Sequence, residues 1–403
     1  MKRSIVLLCG SLAASIGFAE SGTLTLEQAL ALARNNSPEL RTAELNARSA
    51  ARAVGAAGRW MNPRLKFEAE GVGGDLELFG EGEYTLGIAQ EFQLGGRQRH
   101  ARGAAAKAVA IAGHHLSEVE LERDDQVRQA FVDVLALQES GKVQAEQEEL
   151  GRAFVEVAGR LHQRGGGSEL DVVQAELELE KILFSQSCCL GELLAARERL
   201  ASLVGLPESE LGELAGDYYQ LEKIDGLGLA DTHPALMRLA AEADLLRAEA
   251  RLAKTKDAGH LTLEAGYRHE AESDVNSLVF SASIPLGLHK QGRVEQAAML
   301  MQAEAMEAAR DAMRRRLQSA LAEAVALYQG AVAQADMGKQ KLIPKAEQAY
   351  ELSREGYRAG RFSWMELIAA QQHLVEIRLQ YIDVLKEAHL ARLEILKLKA
   401  KGI

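Results

Sequence analysis

The sequence predicts a mainly α-helical chain carrying membrane β-strands, built as two repeats of a strand hairpin followed by a long helical hairpin. Three observations carry this. Ser37-Pro38-Glu39-Leu40 recurs as His233-Pro234-Ala235-Leu236, and Leu65-Lys66-Phe67-Glu68-Ala69 recurs as Leu261-Thr262-Leu263-Glu264-Ala265, both at an offset of 196. Gly165-Gly166-Gly167-Ser168-Glu169-Leu170-Asp171-Val172 returns as Gly360-Arg361-Phe362-Ser363-Trp364-Met365-Glu366-Leu367 at an offset of 195. Self-similarity at a fixed period marks a duplicated unit. In each half the apolar period also switches from 3.6 to 2 and back, and each half holds helix-forming sequence too long for the core of an ordinary globule.

Residues 1–19 read as a secretory signal, with Lys2-Arg3 before an apolar stretch and Gly17-Phe18-Ala19 as a small-residue cleavage site. Cys9 sits inside that stretch and is poorly placed to be a lipidated first residue. Loss of Lys2 and Arg3 takes the formal net charge from -11 to -13, and an acidic chain without a basic block argues against a nucleic-acid partner. No other apolar run reaches transmembrane-helix length. The expected location is therefore the periplasm, the outer membrane or the exterior.

Repeat 1 spans 20–204. Thr25 to about Arg59 predicts a helix with Thr25 as N-cap, stopped by Asn62-Pro63 because the residue before proline avoids the helical region. A β-hairpin over 63–95 follows, with Leu65, Phe67, Ala69, then Tyr84, Leu86 and Ile88 alternating with polar residues. From Arg97 to His162 there is no proline, so one helix of roughly 100 Å is expected. Val127, Phe131, Val134, Leu150, Phe154, Val157 and Leu161 form its apolar seam. Gly165-Gly166-Gly167 makes the turn, and Ser168 caps a return helix that completes the helical hairpin of 97–204.

A Gly- and acid-rich connector over 205–231 leads to repeat 2, residues 232–403. It comprises a helix from Pro234 to Lys256, a β-hairpin over 260–287 and a helical hairpin over 290–400. In its second strand Leu278, Phe280, Ala282, Ile284 and Leu286 face one way, and Val279 is the single apolar residue on the polar side. Pro344 lies inside the second long helix with no counterpart in the first, and is expected to kink it.

Four strands of about ten residues suit a tilted membrane barrel, yet four cannot close one, so several chains must contribute. A soluble sheet buried on one side is the alternative. No catalytic constellation, phosphate loop, cofactor motif or metal-ligand spacing emerges. Cys188-Cys189 and His114-His115 are helix neighbours whose side chains diverge.

The arrangement resembles the TolC-like outer membrane factors, the exit ducts of tripartite efflux pumps and type I secretion systems. The turn segments and the junctions Phe92-Gln93-Leu94-Gly95-Gly96-Arg97 and Ile284-Pro285-Leu286-Gly287 carry that resemblance. The first junction is most similar to the cobalt–zinc–cadmium branch. The resemblance implies a homotrimer with a twelve-strand outer-membrane barrel and a long periplasmic helical tunnel. A periplasmic adaptor and an inner-membrane transporter engage the turns in such assemblies. It further implies that Glu366 helps form the constriction and that Asp171 is tied to Tyr357 by a hydrogen bond. Where a second acidic position is expected, this chain has Ala369. Helix-start carboxylates stabilised by the local dipole are the plain alternative. Arg164, Gly165, Ser168, Arg358, Gly360, Arg361 and Ser363 are the adaptor-contact candidates, with Arg160 and Arg354 nearby; a solvated polar tip is their alternative. A periplasmic coiled-coil adaptor or scaffold remains a rival for the whole chain.

Overall fold

The computed structural model describes residues 23–71, 82–222, 224, 228–229, 231–285 and 289–400. The proposed signal segment, the tip of the first strand hairpin, much of the later connector and the Leu286-Gly287 junction lie outside the described residues. The order is β1 (Thr23–Thr25), α1 (Leu26–Asn36), α2 (Pro38–Ala56), β2 (Arg64–Glu70), β3 (Glu83–Gln93), α3 (Arg97–Gln163), α4 (Glu169–Val204) and β4 (Glu213–Ala215). It continues with α5 (Pro234–Lys254), β5 (His260–Glu270), β6 (Val275–Ser283), α6 (Gln291–Met337), α7 (Ile343–Arg358) and α8 (Trp364–Leu398).

Helix α3 runs its 67 residues without interruption, as the absence of proline allows. The helix carrying Pro344 behaves differently. Between α6 and α7 the backbone stays helical but widens into a π-helical turn at Gly338–Leu342. Proline has no N–H to offer the carbonyl four residues back, and its ring crowds that carbonyl. An extra residue in the turn relieves both.

The single helix expected from Thr25 to about Arg59 is two. Ser37 sits extended (φ -72°, ψ 119°), as a residue before proline must, and its side chain caps α2 by accepting from the Leu40 N–H. Thr25 is the N-cap of α1: its hydroxyl accepts from the Gln28 N–H, and the Gln28 side chain accepts from the Thr25 N–H. The second departure is the connector. Glu213–Ala215 forms a strand parallel to Thr23–Thr25, and Leu211, Leu214 and Tyr218 are buried.

The chain divides into two compact units, each drawing on both halves of the sequence. The first comprises residues up to Asn36, Gln126–Leu221 and Ala333–Lys386. Its core gathers Val127, Phe131 and Val134 of α3, Leu200 and Val204 of α4, Ile382 and Leu385 of α8, and the connector residues. Several of these are fully buried, worth roughly 1.5–3 kcal/mol per large aliphatic side chain. Farther along the α3 seam Leu150 and Leu161 are exposed and Phe154 is half-buried, so the apolar stripe thins toward the turn.

The second unit comprises Ser37–Asp125, Glu222–Val332 and the residues from Glu387 onward. It contains the antiparallel sheet β2-β3-β5-β6, in which the two hairpins join through β3 and β5. Gly95 and Gly96 form the sheet-to-helix junction at φ +68° and +72°, and a Cβ at Gly95 would lie 2.9 Å from the Ala258 methyl. That explains the glycine pair in the junction motif.

Candidate functional site

Pairing register fixes the two faces of the sheet. Leu65, Phe67 and Ala69 stand opposite Ile88, Leu86 and Tyr84; Leu86 and Ile88 stand opposite Tyr267 and Ala265; and those stand opposite Leu278 and Phe280. Period two then places all of them on one face, with no charged side chain among the strand residues there. That face is bare: Phe280 is 75 % exposed, Leu278 71 % and Phe67 66 %. Contiguous exposed apolar surface of this kind needs a non-aqueous neighbour. Trp60, missed in the sequence, packs edge-on to Phe92 at 5.5 Å beside the helix-proximal end of the strands.

The opposite face holds every charge in the four strands, six carboxylates against three basic groups. Lys66 donates to Glu264 at 2.9 Å and pairs with Glu68 at 2.6 Å, and Arg268 pairs with Glu83 at 2.7 Å. Glu70, Glu83 and Glu270 lie side by side across three strands. Like charges directly opposite cost stability, so this row is not there to hold the sheet together.

The second group of residues lies at the helical turns of the first unit, and the two turns are built alike. In each, a left-handed glycine ends one helix, Gly165 at φ +78° and Gly360 at φ +68°. The Gly166 N–H reaches the Leu161 carbonyl and the Gly165 N–H that of His162, while Arg361 reaches Gly356 and Gly360 reaches Tyr357. Both are Schellman caps. Three residues on, Ser168 and Ser363 cap the return helices. The Ser168 hydroxyl accepts from the Asp171 N–H, and Asp171 Oδ2 accepts the Ser168 N–H at 2.9 Å. Ser363 and Glu366 repeat this, with Glu366 Oε2 accepting the Ser363 N–H at 2.7 Å and its hydroxyl at 2.9 Å. These are capping boxes, legible in the sequence as Ser-x-x-Asp and Ser-x-x-Glu but not recognised there.

Those bonds, the backbone one first, hold the Glu366 carboxyl below its usual range. A depressed carboxylate stabilises the folded state above its ordinary pKa, and the contribution is lost as pH falls through the lowered value. Among the described residues no hydrogen bond joins Tyr357 to Asp171, whose carboxylate accepts the Ser168 N–H of its own cap. Tyr357 is instead raised by burial, with the Asp171 charge second.

The turns differ in what lies beneath them. Trp364, not singled out from the sequence, is buried between Phe154 at 5.2 Å and Tyr357 at 5.5 Å, in a cluster with Ala158, Ala175, Tyr350, Leu367 and Ile368. The equivalent position of the first turn is Glu169, which is exposed. Around this cluster Arg160, Arg164, Arg358 and Arg361 are exposed. Arg160 pairs with Glu156 and Arg354 with Glu351, whereas Arg164, Arg358 and Arg361 make no ion pair among the described residues. Arg378, deeper in, bridges Glu146 of α3 at 3.1 Å and Glu347 of α7 at 3.0 Å.

Among the described residues no group of three or more His, Cys, Asp or Glu side chains could hold a metal ion, and no helix is long and apolar enough to cross a membrane.

Comparison with known proteins gives a consistent result. The family described as "Outer membrane efflux protein" matches residues 29–206 and 229–399. The cobalt-zinc-cadmium resistance protein CzcC of Cupriavidus metallidurans is 25 % identical over 375 residues, covering 92 % of this chain and 88 % of that protein. Among solved structures, CusC superposes with a TM-score of 0.77 at 16 % identity, covering 94 % of this chain and 93 % of that one. The open-state MtrE outer membrane channel of Neisseria gonorrhoeae gives 0.77 at 15 % identity, covering 94 % and 89 %.

Proposed function

This chain belongs to the outer membrane efflux protein family, and on that premise we propose that three copies form the exit duct of a tripartite pump for divalent metal cations. The observation that carries the proposal is the two-faced sheet. Its charge-free face is dressed for lipid and its charged face for water. Strands β2 and β6 are its edges, and they run in opposite directions. The β6 edge of one copy can therefore pair antiparallel with β2 of the next, so three copies close twelve strands and leave no edge in lipid. The chain is then a duplicated unit, 20–204 and 232–403, following a cleaved signal over 1–19. The barrel sits in the outer membrane and the helices extend into the periplasm.

The carboxylate excess on the inner face favours cations over anions. The resistance protein to which the chain is similar carries cobalt, zinc and cadmium in its name. Cation cargo fits both. The solved neighbours CusC and MtrE are described as membrane channels, and the chain's chemistry is read as passive conduction powered by an inner-membrane transporter through a periplasmic adaptor. Light scattering on the mature chain extracted from outer membranes in detergent tests this reading. A protein mass of three chains, unreleased by salt washing, is expected; a soluble monomer or dimer would move the chain to a periplasmic scaffold.

At the turns, Glu366, Asp171 and Tyr357 form the constriction of the closed duct in this reading. The unpaired Arg164, Arg358 and Arg361, with Gly165, Ser168, Gly360 and Ser363, present the surface that an adaptor meets. Pro344 marks where the second helical hairpin shifts on opening. The gate and the cap can be separated by two substitutions. Ser363→Ala removes the cap, costing about 1 kcal/mol of stability, and leaves the charge. Glu366→Gln keeps the shape and removes the charge. Single-channel recording should show reduced cation selectivity and weaker divalent block for Glu366→Gln only. Equal behaviour of the two would leave Glu366 a helix cap and nothing more.

A further inference from the structure

The π-helical turn is held by a chain of rings that begins on another helix. Gly338 opens that turn, and a Cβ there would lie 2.9 Å from Cδ2 of Tyr381 on α8. Glycine is therefore what lets the Tyr381 ring lie against the backbone. Tyr381 stacks on Tyr219 of the connector, 6.3 Å between centroids and 20° between planes. The Tyr219 hydroxyl donates to Glu139 Oε2 on α3 at 2.8 Å, and Lys142 donates to the other oxygen of that carboxylate at 2.7 Å. Tyr218 packs edge-on to Tyr219 and donates to the Ile382 carbonyl at 2.8 Å. These bonds and ring contacts tie the connector to α8 at Tyr381 and Ile382 and to α3 at Glu139, level with the widened turn.

The turn is the weak place in an otherwise regular helix. Pro344 supplies no N–H, so the backbone around it has fewer ladder bonds to lose when it changes conformation. A two-arrangement element of this sort needs neighbours that select one arrangement. We infer that Tyr219 and Tyr381 are positioning residues that hold Gly338–Leu342 in its present register, so that α7 and α8 shift at this turn only when the Tyr219–Tyr381 stack opens. Burial, then the bond to Glu139, pushes the Tyr219 hydroxyl above its ordinary pKa, so it remains a donor at neutral pH. The charged groups facing it are Glu139 and, more distantly, Glu146. The consequence for flow rests on the duct reading; the clamp itself does not.

Hydrogen exchange on the detergent-extracted protein, read by mass spectrometry over residues 338–343, tests the clamp. Tyr219→Ala removes both the stack and the bond, and should speed exchange there about tenfold. Tyr219→Phe keeps the stack and loses the bond, giving a smaller acceleration and a variant safe to fold. Tyr328→Phe, which removes a tyrosine hydrogen bond to the Glu222 carbonyl in the other unit, should leave the segment unchanged. Bilayer recordings should then show more frequent opening for Tyr219→Ala. Faster exchange of the connector alone, with 338–343 as in the wild type, would overturn the clamp. Accelerated exchange at 338–343 in a protein that conducts no ions would uphold the clamp and overturn the duct.

Discussion

Replacing Trp364 by alanine should unfasten the helical tips. The side chain is 6 % exposed, wedged between rings from α3 and α7, and it is the largest member of a cluster with no other aromatic on α8. Truncating a buried tryptophan costs about 3–5 kcal/mol, because the transfer energy and the cavity add. The expected readouts are a lower denaturant midpoint and protease sensitivity confined to 150–175 and 345–372. In bilayers the same variant should conduct more often, since the contact joining the two hairpins beside the proposed constriction is gone. Trp364→Phe should cost less. The indole N–H is buried without a hydrogen-bond partner, so its removal leaves nothing newly unsatisfied. If Trp364→Ala altered neither the midpoint nor opening, the cluster would not be what keeps the tips together.

The second large effect is expected one residue apart on the sheet. Phe280 stands on the charge-free face and Val279 on the charged one, opposite Gly266. In the proposed barrel Phe280→Arg should cost about 2–4 kcal/mol per copy toward the bilayer midplane, a cost that the proposed trimer meets three times. The oligomer should vanish from outer-membrane extracts. Val279→Lys lies on the charged face, beside an excess of carboxylates and in the lumen of the proposed barrel, and should assemble normally. Light scattering on both variants checks this. Equal tolerance of the two would mean that neither face meets lipid, and the sheet would have to be a soluble one.

Much of this architecture was written plainly in the residues. Strict alternation such as Leu65-Lys66-Phe67-Glu68 admits only one pairing of faces, and β2 pairs with β3 in that register. A proline-free run of more than sixty residues left α3 no place to end. What stayed hidden depends on partners far apart in sequence. The three-residue strand at Glu213–Ala215 exists because Thr23–Thr25 lies beside it, and no local pattern announces so short a parallel pair. The break at Ser37-Pro38 is marked by the proline, although helical periodicity continues on both sides of it. At the turns, glycine and serine marked the geometry correctly, while Trp364 carries no signal of its own. An aromatic residue on a helix looks the same in sequence whether it is an anchor or a surface ornament. The π-helical turn is likewise a compromise among Pro344, Gly338 and a ring from another helix, and only the first two are neighbours in sequence.

The two open edges of the sheet have a consequence in time as well as in space. Until its neighbours arrive, a single copy carries unpaired amides along β2 and β6 and a bare apolar face between them, the surface most prone to pairing with the wrong strand. Correct closure then competes with misassociation at every encounter. In the proposed trimer, the yield of finished ducts should therefore depend on how quickly three nascent copies meet at the bilayer, and overproduction away from it should favour aggregates over assembly.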